Sequence, residues 1–388
     1  MNIISNNSIF PFHYSQNEFL INNYLEADLQ KFLYPLNLTQ SIAYSPKYYI
    51  RDNFITPNNR KAVCLSFCCA LSYILIFVTS IVFYDDVKYY EGILLLLFII
   101  LCLITGGSFA CNFIVNSLQT DSHVNLVLTV QRILNSFRFA KIDCESFVRG
   151  NWIYFFVITF SYIFLIGTHL YKAYFTLILS LYYVGLVLSD VNVVYMIRVI
   201  QLLTHITLVW MSELKHINDI VTDSDRRDGS VRPGSYWRAT VKAYVDITDA
   251  ARMYEEVSKI PIVYYMLTIL FNVLFHVQII LSFPTDFWSN VFITLVWTLK
   301  HVILLTIISF ATEKFYMTLK NTQVLFLKLN LTVECPGKRL SYKTLLRASN
   351  AAWERRETGL LGVNAALPPN FFSCVATYVI VLLQFKFT

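Results

Sequence analysis

The chain has 388 residues, 56% of them hydrophobic and only 14% charged, against about 45–50% and about 25% in a soluble domain. That balance excludes a soluble globular protein and predicts an integral membrane protein, all-α and polytopic. The net charge of +6 says little by itself, whereas its distribution along the chain sets an orientation.

Residues 1–61 form a polar, aromatic N-terminal region with no apolar run of the length a cleavable signal needs, so none is expected. Phe19, Leu20, Tyr24, Leu25, Leu29, Phe32 and Leu33 recur at helical spacing until Pro35, where the helix is expected to stop. This helix is read as packing on the protein's own base; lying on a membrane surface is the alternative. The first two spans are placed at Ala62–Phe83 and Gly92–Val115, joined by an acidic link with Asp85, Asp86 and Glu91. Gly106-Gly107 in the second span permits close helix approach or a kink. Val124, Val127, Val130, Leu134 and Phe137 then mark an amphipathic continuation of that span.

From Trp152 to Met211 the sequence is almost unbroken in its apolar character. It is divided into two spans, Trp152–Tyr171 and an overlong Phe175–Met211. A charged, Gly- and Pro-containing loop at Asp223–Gly234 precedes a helical stripe of Tyr244, Ile247, Ala251, Tyr254 and Val257. The fifth span is placed at Pro261–Leu281, with Pro261 in its first turn. After a turn at Phe283–Asp286 the sixth runs over Phe287–Ala311. The transmembrane bundle thus covers 62–311. Residues 312–369 are polar and periodic, broken by a Pro-Gly turn near Glu334–Lys338. They are read as cytosolic anchor helices, separated by Pro368-Pro369 from a seventh span, 370–388.

Twenty-six of the 31 Lys and Arg residues lie before the first span or after the second, fourth and sixth; Lys88, Lys172 and Lys386 lie on the opposite side. Basic loops stay in the cytosol. Seven spans, with the N-terminus cytosolic and the C-terminus extracellular, satisfy that rule. A G-protein-coupled receptor needs the reverse orientation, and a secondary transporter should show paired half-repeats. The sequons at Asn6, Asn37 and Asn330 then lie in the cytosol and stay unmodified.

No enzyme motif stands out among the seven scattered histidines, so no catalytic residue, metal site or cofactor is assigned, and nothing points to nucleic acid. No disulfide framework is expected of the eight cysteines. Arg198 and Lys300 fall within spans, where a charge marks a functional site, a buried pair or a position beyond the bilayer; no acidic partner for Lys300 is readable. Tyr162, His169, Tyr182, Asp190, His276, Gln278 and Trp297 belong to a polar and aromatic mixture in one half of spans three to six. Such a mixture suits a pocket for an amphipathic organic ligand, although each residue alone also suits packing or an interfacial belt.

The seventh span has one unusual face. Asn370, Cys374, Thr377, Val381, Gln384 and Thr388 follow at steps of four or three and share a stripe, with Phe372, Ala376, Val379, Ile380 and Leu383 opposite. Such a stripe either packs polar against polar or lines water. Thr377, Tyr378, four apolar residues, Leu383, Gln384 and Phe385 match the closing TYhhhhhQF signature of insect gustatory receptors. Gly359-Leu360-Leu361, Val363-Asn364 and Leu367 resemble that family's approach to its last span.

The resemblance implies a ligand-gated, non-selective cation channel in the plasma membrane of gustatory neurons. It further implies a homotetramer, or a hetero-oligomer with other such receptors, with each final helix lining a central pore and one ligand pocket per subunit. The partners implied are a small-molecule tastant, permeating cations and membrane lipids. By position in the motif, Val381 would be the apolar gate, with Thr377, Gln384 and Thr388 as polar neighbours. Sweet-taste members usually carry Glu after the Thr-Tyr pair. This chain has Val379, which favours the bitter group and keeps a fructose-type ligand as the alternative.

Overall fold

The computed structural model describes residues 23–42, 45–83, 92–136, 144–171, 177–227, 234–282, 287–332, 343, 345–347, 349–350 and 363–387. Nine named helices and one hairpin lie among them: α1 (Ala27–Ile42), β1 (Tyr49–Arg51), β2 (Phe54–Thr56), α2 (Arg60–Phe83), α3 (Gly92–Leu118), α4 (Thr120–Ser136), α5 (Cys144–Tyr171), α6 (Leu177–Arg227), α7 (Gly234–Ser282), α8 (Phe287–Thr332) and α9 (Leu367–Phe387). Six helices are long and apolar enough to cross a bilayer, and α2 carries a shorter apolar run, Val63–Ile76. The expected spans fall within these helices, apart from residues 175–176 and 388, which lie outside the described residues. The acidic link, the Phe283–Asp286 turn and the Glu334–Lys338 turn lie outside the described residues.

A helix apolar on every side must be surrounded, and α6 is. Within Val184–His216 the most apolar 18-residue stretch is 89% buried, and the helix packs against α2, α3, α5, α7 and α8. Gly185 permits part of this: a Cβ there would come within 2.6 Å of Thr105 Cγ2 and 2.8 Å of the Tyr73 hydroxyl. Short polar side chains reinforce the α3–α6 seam. The Ser108 and Ser189 hydroxyls share a 2.9 Å hydrogen bond, and Asn192 donates to Asn112 Oδ1 at 2.8 Å. The main core joins α6 to α7 and α8 through Trp210, Tyr244, Ile269, Leu305 and Phe315.

Four boundaries differ from expectation, the first being the loop expected at Asp223–Gly234: α6 runs on through Arg227 and Gly234 already opens α7. Pro35 lies inside α1, which runs on to Ile42. A proline removes one backbone donor and the bond to residue i−4, and burial of Phe32, Leu33, Pro35 and Leu36 outweighs that loss. Pro261 likewise sits inside α7 rather than at its first turn, because the preceding amphipathic stripe is continuous with the span. Pro368 and Pro369 belong to the first turn of α9, where the missing N–H would be unpaired in any helix. Gln119 marks a bend between α3 and α4 with backbone bonds on both sides, Gln119 N to Val115 O and His123 N to Gln119 O. Gly107 meets Tyr264 only at ordinary contact distance.

The hairpin is an element the apolar spacing did not reveal. Asp52 and Asn53 both take positive φ, 50° and 68°, as a two-residue type I′ turn requires. It seals Ile55 beside Leu25, and leads back to Lys47, which is fully buried. Lys47 donates to Asn116 Oδ1 at 3.0 Å, and its Nζ lies 5.1 Å from the Tyr195 ring centroid. Burial pushes the Lys47 pKa down to about 7, and burial followed by the Lys47 charge pushes His123 well below its ordinary value.

Both groups therefore bind fewer protons folded than unfolded, so stability rises with pH where the unfolded chain still holds the proton. The detergent-solubilised protein is expected to melt at higher temperature at pH 9 than at pH 7, and Lys47→Met should flatten that slope. A melting temperature independent of pH from 7 to 9 in the unaltered protein would refute this reading.

Candidate functional site

Asp190 lies on α6 and Lys300 on α8, each about 20 Å from the helix ends at Leu177 and Phe287 at about 1.5 Å per residue. Equal depth brings them together well inside a hydrocarbon core about 30 Å thick. Lys300 Nζ stands 2.6 Å from Asp190 Oδ2, with the two side chains 15% and 1% exposed. Tyr162 of α5 completes the group: its hydroxyl donates to Asp190 Oδ2 at 2.8 Å and accepts from Lys300 at 3.1 Å. The ammonium also sits 3.9 Å from the Trp297 ring centroid and 4.6 Å from that of Tyr162. One cation is thus held by a carboxylate, a phenol and two aromatic faces, a combination that offsets part of its desolvation cost.

His301 extends the cluster toward α7. Its Nδ1 is 3.0 Å from the Tyr265 hydroxyl and 4.0 Å from Asp190 Oδ1, while its ring stacks on Trp297. Its Nε2 is buried without a hydrogen-bond partner among the described residues. Asn272, on the stripe of α7 that also carries Tyr265 and His276, is 2% exposed, and neither amide atom has a partner among the described residues. Native proteins seldom leave such groups unpaired.

Of the residues singled out in sequence, Tyr162, Asp190 and Trp297 meet in this cluster. His276 is half-buried against Phe275 and close enough to act on His301 electrostatically. Gln278 is half-buried further along α7 and takes no part. The side chains of His169, Tyr182, Phe385 and Thr388 lie outside the described residues. Lys300, expected as an intramembrane charge with no readable acidic partner, finds that partner in Asp190; His301, Tyr265 and Asn272 are the additions. Common depth could have paired Lys300 with Asp190; the unpaired state of Asn272 had no signal in sequence.

Arg198 lies lower on α6, about 32 Å from Leu177 at 1.5 Å per residue, and its partners are neutral. It donates through Nε to Asn151 Oδ1, through Nη1 to Gln201 Oε1 at 2.6 Å and through Nη2 to the Phe147 carbonyl at 2.9 Å. Gly150 makes room, since a Cβ there would lie 2.8 Å from Nη2. A cavity of about 520 Å³ opens beside it between α5, α6 and α8.

Among the described residues the last helix packs by the face that carries Phe371, Val375, Val379 and Leu382, against α7 and α8. Asn364 prepares its start: its side chain accepts from Ala366 N at 3.1 Å and its carbonyl from Leu367 N at 3.0 Å. Asn370, Cys374, Thr377, Val381 and Gln384 of the expected stripe are all exposed, Val381 at 39%. Thr377 satisfies its hydroxyl on the Ser373 carbonyl at 3.0 Å. Tyr378 and Ile380, one on each flank of the stripe, are exposed apolar surface.

Long apolar helices, a buried ion pair at membrane depth and a final helix with an uncovered polar stripe define a polytopic helical membrane protein. Residues 44–388 match the family of 7tm chemosensory receptors, and the chain belongs to it, in agreement with the gustatory-receptor signature in its last helix. No curated protein matches the chain.

Removing one member of a buried pair strands the other charge, at about 3–5 kcal/mol. Asp190→Asn and Lys300→Met should each sharply lower the melting temperature and surface expression. Asp190→Leu with Lys300→Met should recover most of the loss. Single variants as stable as the unaltered protein would show that the pair holds nothing together.

Proposed function

We propose that this chemoreceptor is a ligand-gated, non-selective cation channel, assembled as a homotetramer around four copies of α9. The N-terminus is cytosolic and the C-terminus extracellular. The observation that carries the reading is the exposed stripe of α9. A spanning helix that packs by one face and leaves Asn370, Thr377 and Gln384 uncovered needs further protein or water beside it. A ring of copies supplies both. Val381, on the same stripe, then forms the apolar constriction, which stops ions by dewetting. Thr377, Gln384 and Thr388 are its polar neighbours.

The ligand is a plant-derived compound of the bitter type, received in the plasma membrane of gustatory neurons. Its pocket lies beside the Asp190–Lys300 cluster, among α5 to α8. Support comes from buried polar atoms left open there, His301 Nε2 and both amide atoms of Asn272, which a ligand hydroxyl, amine or carbonyl would satisfy. The basic loops support the orientation.

Two expectations follow. Val381→Ala should give current without ligand, and Gln384→Arg should suppress cation current, both at normal surface levels; unchanged permeation in both would remove α9 from the pore. A neutral hydrogen bond is worth about 0.5–1.5 kcal/mol. Asn272→Leu should therefore raise the half-maximal concentration of an active plant compound by about twofold to tenfold, without lowering surface expression. An unchanged dose response would place the pocket elsewhere.

A further inference from the structure

The cavity beside Arg198 lies on the opposite side of the ion pair from the helix ends at Leu177 and Phe287. At about 1.5 Å per residue, Arg198 is about 32 Å from Leu177 and Lys314 about 40 Å from Phe287. A bilayer has about 30 Å of hydrocarbon and about 40–45 Å including headgroups. The cavity therefore spans the headgroup layer at the basic end of the bundle. Arg198, His205 and Lys314 line it, and no Asp or Glu does among the described residues. Three of the five guanidinium N–H groups of Arg198 are used on neutral acceptors, leaving, among the described residues, two donors and an uncompensated charge. Lys314 is exposed.

The rest of the lining is apolar. Leu208 and Phe310 are 44% and 59% exposed, and with Ile307 they border the same opening. A basic pocket continuous with oily surface at headgroup depth matches a molecule with a phosphate at one end and acyl chains at the other. A free phosphate would leave that apolar border unused.

We propose that this cavity binds the phosphorylated headgroup of an anionic phospholipid of the cytosolic leaflet. Arg198 and Lys314 contact phosphate oxygens, His205 supplies a further polar contact, and the acyl chains lie along Leu208 and Phe310. Binding itself needs no assumption about sidedness; assignment to the cytosolic leaflet rests on the orientation proposed above. Arg198 also donates to Asn151, whose amide donates to the Phe32 carbonyl of α1 at 2.7 Å. An occupied cavity thus fixes the guanidinium that holds α1 against α5.

The test uses the full-length protein in detergent, where both faces are accessible. Native mass spectrometry would measure binding of dioctanoyl phosphatidylinositol 4,5-bisphosphate, with dioctanoyl phosphatidylcholine, inositol trisphosphate and inorganic phosphate as comparisons. The phosphoinositide should bind at least tenfold more tightly than phosphatidylcholine, and more tightly than either soluble phosphate. Lys314→Gln should weaken it by about threefold to tenfold, and Arg198→Gln further. Lys314 is exposed, so its variant keeps the test valid if Arg198→Gln does not fold. Equal binding of phosphatidylcholine, equal binding of the soluble phosphates, or unaltered binding by Lys314→Gln would overturn the proposal. Sidedness is read separately at the Asn330 sequon, near the end of the same helix α8. An unglycosylated Asn330 supports the cytosolic leaflet. A glycan there would overturn that assignment and the orientation together, whatever the binding result.

Discussion

A polar group inside hydrocarbon must find a partner, and that constraint organises this molecule more than apolar burial does. The surrounding lipid is as oily as the helices, so leucine against leucine gives little reason to prefer one neighbour over another. Specific seams come from the exceptions. Ser108 with Ser189 and Asn112 with Asn192 join α3 to α6. Asp190 with Lys300 and Tyr162 joins α6 to α8 and α5. These contacts all meet on α6, which explains how one long helix becomes the axis around which the others are placed.

The same rule separates the two charges read as intramembrane. Lys300 is deep and is met by a carboxylate. Arg198 is near the boundary and is met by neutral oxygens, which spread its charge without cancelling it. A paired charge holds helices together; a charge supported but not neutralised remains able to attract an anion. Depth decides which of these each residue does.

Much of the fold was legible in sequence because apolar run length is a local property. The spans emerged near their observed positions, and the α9 stripe followed from steps of three and four alone. The turn of the hairpin was also legible in principle, since Asp52-Asn53 between short alternating segments is a turn signal. Helix ends at Pro35 and Pro261 were misplaced because a proline disfavours helix locally, while the packing that overrules it comes from distant residues. The cluster at Asp190 was only partly legible. Its members come from four helices, and their meeting depends on relative rotation and depth that no local pattern encodes. The cavity at Arg198 is the extreme case, being a space between three helices.

The tie between Asn151 and the Phe32 carbonyl spans 119 positions of sequence, with a consequence for how the protein is made. The residues of α1 leave the ribosome before the first span, yet the surface that covers Phe32 and Leu33 belongs to α5 and α6. At about 5–20 residues per second, α1 waits on the order of ten seconds with its apolar face uncovered. During that interval the nascent chain offers a greasy helix to any chaperone at the membrane surface. Completion of α5 and α6 withdraws it, so the earliest-made helix reaches its final place only after later spans have arrived.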